Sequence, residues 1–193
     1  KNLISRKILE TTCDVHRDAS LPEFQKETFV KKQKNAPPSI NTQAPAYGRK
    51  AVIYATCFVN YNNPSIGFAA QAVLNLNGVT TEVVYPSCCG MPQLEQGNIQ
   101  EVARSAEKVA KELRSWVNDG NDIIALTPSC ALMLKFEWPL ILPENEDVRA
   151  LSGATFDTDE YIVAIAKKQG LAGGLKRLDG GVTFALKILG KNQ

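Results

Sequence analysis

The sequence predicts an α/β fold: a three-layer, Rossmann-like open parallel sheet built from βαβ units, with an N-terminal arm ahead of it. Three observations carry the prediction. Apolar runs rich in β-branched residues, at 51–56, 81–85 and 122–127, alternate with stretches of helical period. Short connections containing Gly, Pro, Asn or Asp separate them. The runs are apolar without strict alternation, as befits strands covered by helices on both faces.

Each element has a local reason. Residues 1–46 differ from the rest: an amphipathic start around Leu3, Ile4, Ile8 and Leu9, a polar stretch with Lys31, Lys32 and Lys34, then Pro37, Pro38 and Pro45. This reads as a short helix and a linker or surface arm, leaving 47–193 as the main domain. After the first strand, Asn63-Pro64 supplies an N-cap and a first-turn proline, and Gly78 suits the end of that helix. Its expected buried stripe is Ile66, Ala69, Ala70, Val73 and Leu74. The clearest period follows the second strand, where Ile99, Val102, Ala106, Val109, Leu113 and Val117 share one helical face that ends at Gly120. After the third strand, Ser129 is expected to cap a helix at 131–136. Beyond Pro139, residues 155–169 read as helix, 171–174 as a turn and 181–186 as one more strand. Trp138, before Pro139, reads as a packing residue ending a helix.

Composition narrows the function classes. The 193 residues are 44 % apolar and 22 % charged with a net charge of +2, which supports one substantial core. No run approaches the ~20 apolar residues of a membrane span, so no transmembrane segment is predicted. The 22 Lys+Arg are scattered against 20 Asp+Glu, which leaves no footprint for nucleic acid. Five cysteines are too few for a disulfide scaffold, and no secretory signal opens the sequence, so free thiols in a reducing, cytoplasmic compartment are expected.

Four of these cysteines are placed by the fold. Cys57 follows the first strand, the adjacent Cys88 and Cys89 follow the second, and Cys130 follows the third. The carboxyl ends of neighbouring parallel strands meet at one sheet edge, so the four thiols are expected to converge there. Gly90 beside the pair lets the backbone approach a bulky group. Thiolates bind soft metals, which makes an iron-sulfur cluster or zinc the leading candidates. The plainer reading is four small buried apolar side chains at strand ends. A disulfide is a poorer rival, because adjacent cysteines bridge each other only through a strained ring.

Other residues carry weaker signals. Cys13 and His16 have the spacing of half a zinc site, with no second half nearby. A single histidine, in a charged segment, disfavours hydrolase chemistry. Tyr61, Asn60 and Asn62, expected in a loop after Cys57, are candidate hydrogen-bond donors to a cluster. The glycines between 170 and 181 match no phosphate-binding motif.

Three segments carry a family resemblance: Thr56-Cys-Phe-Val-Asn-Tyr-Asn-Asn-Pro64, Pro86-Ser-Cys-Cys-Gly-Met-Pro-Gln-Leu-Glu-Gln-Gly97 and Thr127-Pro-Ser-Cys-Ala-Leu-Met-Leu-Lys-Phe-Glu-Trp-Pro139. They resemble the cysteine-rich CCG domain family of heterodisulfide reductase-related iron-sulfur oxidoreductases, most closely the branch similar to the C subunit of anaerobic glycerol-3-phosphate dehydrogenase, over roughly residues 5–180. The resemblance implies Cys57, Cys88, Cys89 and Cys130 as metal and cluster ligands, holding an iron-sulfur cluster of the [4Fe-4S] kind, with zinc or an empty site in a non-redox assembly module as the alternative. It also implies an electron-transfer subunit or domain rather than a complete enzyme, partnered by other oxidoreductase subunits. A flavin dehydrogenase would donate electrons and a quinone or another carrier would accept them, in the cytoplasm or peripheral to its membrane through a partner. The sequence departs from the family pattern where the second cysteine of CxxC falls at Met133. No ferredoxin-like cysteine run and no second module appear in it, and the expectation is a fragment, a truncated product or a one-module relative.

Overall fold

The computed structural model describes residues 2–20, 22–35 and 39–174. An exposed helix, α1 (Leu3–Cys13), opens the chain, capped where Asn2 Oδ1 accepts the Ile4 N–H at 3.0 Å. A short helix, α2 (Phe29–Asn35), precedes the first strand, β1 (Lys50–Tyr54). Then come α3 (Cys57–Tyr61), α4 (Pro64–Leu76), β2 (Thr80–Val84), α5 (Met91–Glu95), α6 (Ile99–Asn118) and β3 (Asp122–Ala125). A continuous helical stretch follows, from α7 (Pro128–Leu132) through a π-helical turn (Met133–Glu137) into α8 (Trp138–Ile141). The described chain closes with α9 (Glu146–Ala154), β4 (Thr155–Asp157) and α10 (Thr158–Lys168).

The four strands form one all-parallel sheet in the order β2-β1-β3-β4, as the expected α/β class requires. Alternate side chains of each strand feed opposite cores. Val52, Tyr54, Ile123 and Ala125 pack with Val102, Leu113, Trp138 and Val148 from α6, α8 and α9. Ala51, Ile53 and Ile124 pack on the other face with Leu74 from α4 and with Tyr161 and Ile165 from α10. Two buried faces of a central sheet make three layers, and burying both explains the unbroken apolar runs.

Several expectations change. Residues 155–157 form an edge strand on β3 rather than the start of a helix. The helix begins only after Asp157, whose side chain accepts the Glu160 N–H at 2.7 Å. Three residues are too short to show a strand period. The expected strand at 181–186 lies outside the described residues. Part of the expected surface arm is core: Phe29, Ala44 and Ala46 are buried.

Helix α4 is rotated from its predicted stripe. Its buried face is Pro64, Gly67, Gln71, Leu74 and Asn75, while Ile66 and Val73 stay 38 % and 45 % exposed. The reason is Phe29, whose ring would lie 2.5 Å from a Cβ at Gly67. A helix face without a side chain accepts an aromatic ring there, and apolar residues that periodicity assigned to the core line an open groove with Leu126, Ile162 and Val163 instead.

Candidate functional site

The strand order reverses between β1 and β3, where the chain leaves β1 for one side of the sheet and reaches β3 on the other. Such switch points leave a crevice at the carboxyl ends of the strands. Three loops enter it. Cys57 opens α3 directly after β1, and Thr56 is the N-cap, its Oγ1 accepting the Val59 N–H. Cys88 and Cys89 occupy the turn after β2, and Gly90 starts α5 in the left-handed region at φ 81°. Cys130 lies in the first turn of α7, its N–H donating to the Thr127 carbonyl at 2.9 Å. The N-cap of α7 is Thr127, not Ser129, because the helix begins three residues earlier than expected, at Pro128.

All four thiols line one cavity of about 140 Å³, together with Thr56, Thr127, Ser129, Met91 and Pro92. They meet in pairs: Cys89 Sγ lies 3.2 Å from Cys130 Sγ, and Cys88 Sγ lies 4.0 Å from Cys57 Sγ. Cys89 and Cys130 are 2 % and 5 % exposed, whereas Cys57 and Cys88 are half-buried at the mouth. Among the described residues, no three Cys, His, Asp or Glu side chains already surround a single point as a metal ion requires. The donor set nonetheless fits a soft metal or an iron-sulfur centre: four sulfurs face one cavity whose lining includes no carboxylate or imidazole.

Three polar contacts, one buried and two part-buried, hold the loops in place, and the sequence reading assigned none of them. The Tyr54 hydroxyl, rising from β1, donates to the Ser87 carbonyl at 2.6 Å. The Trp138 indole N–H donates to the Cys89 carbonyl at 3.1 Å from the opposite side. Both ends of the cysteine-pair turn are thus held by buried donors. Thr56 and Thr127, at the ends of β1 and β3, share a hydroxyl–hydroxyl hydrogen bond at 2.7 Å that ties the Cys57 and Cys130 loops together. Trp138 therefore does not end a helix: it begins α8 inside the continuous stretch and is fully buried. A long-range bond from a tryptophan 49 residues away leaves no trace in local spacing.

Crowded thiols share protons unevenly. Cys88 is held far below the usual thiol range, because Cys57 and Cys89 hydrogen-bond to its sulfur and nearby backbone N–H groups of Gly90 and Cys89 assist. Cys57 is pushed up by its hydrogen bond to Cys88 and then by burial. Cys89 is pushed up by Cys130, by Cys88 and by burial, in that order. Negative charges this close repel one another, so the crowding favours the charged form at Cys88 and disfavours it at Cys57 and Cys89. Burial, reinforced by the neighbouring thiols, also raises the Tyr54 hydroxyl well above its ordinary range.

Met133, at the position of the second CxxC cysteine, is fully buried within the α6/α8/α9 core and is not among the residues lining the cavity. The thioether that does line it belongs to Met91. Asn60 and Asn62 serve elsewhere: α3 is a helix rather than a loop, Asn60 Oδ1 accepts the Val30 N–H at 3.2 Å, and Asn62 Nδ2 donates to the Glu23 carbonyl at 3.0 Å. They dock the N-terminal segment on the domain. Cys13 is exposed at the end of α1, and His16 lies near Glu10 and Asp18, each 3.9 Å away. Among the described helices, none is long and apolar enough to cross a membrane.

The model of the cysteine-rich domain family called CCG matches residues 51–135, which span Cys57, Cys88, Cys89 and Cys130. The chain is 27 % identical over 148 residues to the C subunit of anaerobic glycerol-3-phosphate dehydrogenase from Escherichia coli strain K12, covering 76 % of this chain and 36 % of that protein. It is 28 % identical over 134 residues to lactate utilization protein A of Bacillus pumilus, covering 66 % and 53 %. The B subunit of the fumarate reductase (CoM/CoB) of Methanothermobacter marburgensis is 27 % identical over 93 residues, 48 % of this chain and 18 % of that protein. The chain thus spans about a third to a half of the first two relatives. No solved structure matches it.

Proposed function

Because residues 51–135 are a cysteine-rich domain of the CCG family, we propose that this chain holds an iron-sulfur centre at Cys57, Cys88, Cys89 and Cys130 and serves as an electron-transfer part of a multi-subunit oxidoreductase. One observation carries the proposal. Four thiols from the ends of three adjacent parallel strands line one cavity, and they sit on backbone that buried side chains hold in place. Structural cysteines need no such convergence.

A bound iron-sulfur centre supplies one-electron chemistry over a wide range of potentials. The chain's own residues supply everything else. Cys89 and Cys130 are the deep donors, shielded from water; Cys57 and Cys88 are the outer donors beside solvent. Tyr54 and Trp138 orient the turn bearing the central pair, and the threonine pair keeps the flanking loops at a fixed separation. Four thiolates and no fifth fit a cluster of the [4Fe-4S] kind, since Met133 is turned into the core. The named relatives include subunits of anaerobic glycerol-3-phosphate dehydrogenase and a fumarate reductase. On the family resemblance of the cysteine segments, we propose a flavin dehydrogenase subunit as the electron donor and a quinone or another carrier as the acceptor.

The test is the iron, zinc and acid-labile sulfide content of the chain purified without oxygen, beside a Cys88→Ser, Cys89→Ser variant. The expected result is about four iron and four sulfide per chain in the parent, lost in the variant. One zinc per chain without sulfide would turn the reading to a non-redox metal site. No metal at all would overturn it.

A further inference from the structure

We propose that, when no metal centre is held, the same four cysteines operate as two stacked dithiol pairs: Cys57 with Cys88 at the mouth, which exchanges with low-molecular-weight disulfides, and Cys89 with Cys130 behind it, which such disulfides do not reach. The inference goes beyond the cluster proposal and stands whichever metal the site takes.

Geometry assigns the pairs. The two neighbours in sequence take different partners in space: Cys88 faces Cys57 across the ends of β2 and β1, while Cys89 faces Cys130 across the ends of β2 and β3. A disulfide is about 2.05 Å long, so the inner sulfurs at 3.2 Å and the outer ones at 4.0 Å need to approach by only about 1–2 Å to bond. A bridge between Cys88 and Cys89 would require the strained ring of adjacent cysteines and would break both contacts. The buried donors from Tyr54 and Trp138 hold the turn between the pairs, so the pairing is built into the backbone.

Access separates the pairs. Thiol–disulfide exchange requires the attacked sulfur, the attacking sulfur and the leaving sulfur to meet, so the oxidant itself must touch a protein sulfur. Cys57 and Cys88 are half-buried and accessible from the mouth, whereas Cys89 and Cys130 are almost wholly covered in a cavity of about 140 Å³.

The step balances. One outer thiolate attacks a small disulfide R–S–S–R, forming a mixed disulfide and releasing one RS⁻. The other outer thiol, 4.0 Å away, then attacks the protein sulfur of that mixed disulfide, closes the Cys57–Cys88 bond and releases the second RS⁻. Two protein thiols lose two electrons, the small disulfide gains them, and the two thiol protons pass to the two released thiolates. The product withdraws two of the four donors from the cavity, so metal loading and the outer disulfide exclude each other.

The experiment uses the full chain, reduced, freed of metal by chelation and kept without oxygen, with glutathione disulfide as the probe. Remaining thiols are alkylated after unfolding, and linkages are mapped by mass spectrometry of non-reduced peptides. The expected result is a single intramolecular linkage, Cys57 to Cys88, with Cys89 and Cys130 recovered as alkylated thiols and the exposed Cys13 carrying at most a glutathione adduct. Hydrogen peroxide, small enough to enter and itself reduced to water, is expected to add the Cys89–Cys130 linkage. In Cys88→Ser, confirmed folded by circular dichroism, Cys57 is expected to stop at the glutathione adduct. A Cys88–Cys89 linkage, a Cys89–Cys130 linkage formed first with glutathione disulfide, or stable adducts on both Cys57 and Cys88 without a bridge would each overturn the proposal. None of these outcomes depends on the iron and sulfide content that tests the cluster reading.

Discussion

Replacing Trp138 by Phe removes the indole N–H that donates to the Cys89 carbonyl at 3.1 Å while keeping an aromatic ring in the same core. Trp138 is fully buried and Cys89 is 2 % exposed, so water does not readily replace the lost donor. An unpaired buried carbonyl costs about 1–3 kcal/mol. Shrinking an indole to a phenyl ring forfeits about 1 kcal/mol more in buried apolar surface. The expected loss is about 2–4 kcal/mol, or about 4–16 °C in Tm for a chain of this size. The assay is urea unfolding followed by far-ultraviolet circular dichroism on reduced, metal-free protein, with the exposed Leu140→Ala as a control expected to change little. The same variant is expected to loosen the cysteine-pair turn, so Cys89 should react faster with a small alkylating agent than in the parent. A loss under about 0.5 kcal/mol, the ordinary range of a surface substitution, with unchanged Cys89 reactivity would refute the argument that a distant tryptophan holds the site.

Two further predictions concern Phe29 and Tyr161, in the core on the other face of the sheet. Gly67→Ala places a Cβ 2.5 Å from the Phe29 ring; overpacking costs about 1–3 kcal/mol and the gain in helix propensity returns up to about 1 kcal/mol, so a net destabilisation is expected in urea unfolding, and a stabilised variant would show that the N-terminal segment does not pack there. Burial pushes the Tyr161 hydroxyl up to about 12, with the nearby Arg49 opposing the shift and Asp122 reinforcing it. The unfolded chain releases this proton near pH 10 while the folded chain keeps it, so the contribution is whole below about pH 10 and is lost as pH rises toward about 12, by about 2 kcal/mol. Tyr161→Phe should therefore lose less stability than the parent between about pH 8 and about pH 11, and equal losses would count against this burial argument.

The order and type of the main elements were legible in the sequence because they rest on local physics. Continuous β-branched runs marked β1, β2 and β3, the period of α6 ran through Val102, Ala106, Val109 and Leu113, and Asn-Pro marked the start of α4. The parallel arrangement followed from strand–helix alternation, and with it the convergence of Cys57, Cys88, Cys89 and Cys130. What failed was whatever depended on a partner far along the chain. The buried face of α4 differs from its apolar stripe because Phe29, far upstream in the chain, seats on Gly67. The strand β4 leaves no local signal because three residues become a strand only when β3 offers them an edge.

The site divides in the same way. Residue type and position after each strand, both properties of the sequence, determined that soft donors would collect at one end of the sheet. Only the tertiary structure decided which thiol meets which, that Cys89 and Cys130 lie deep while Cys57 and Cys88 meet solvent, and that Met133 turns into the core. It alone brought Tyr54, Trp138 and the Thr56–Thr127 pair to the loops. The physical reason is that periodicity and turn chemistry are short-range signals within one chain segment, whereas pairing, burial and buried hydrogen bonds are set by side chains that meet only after the layers have packed.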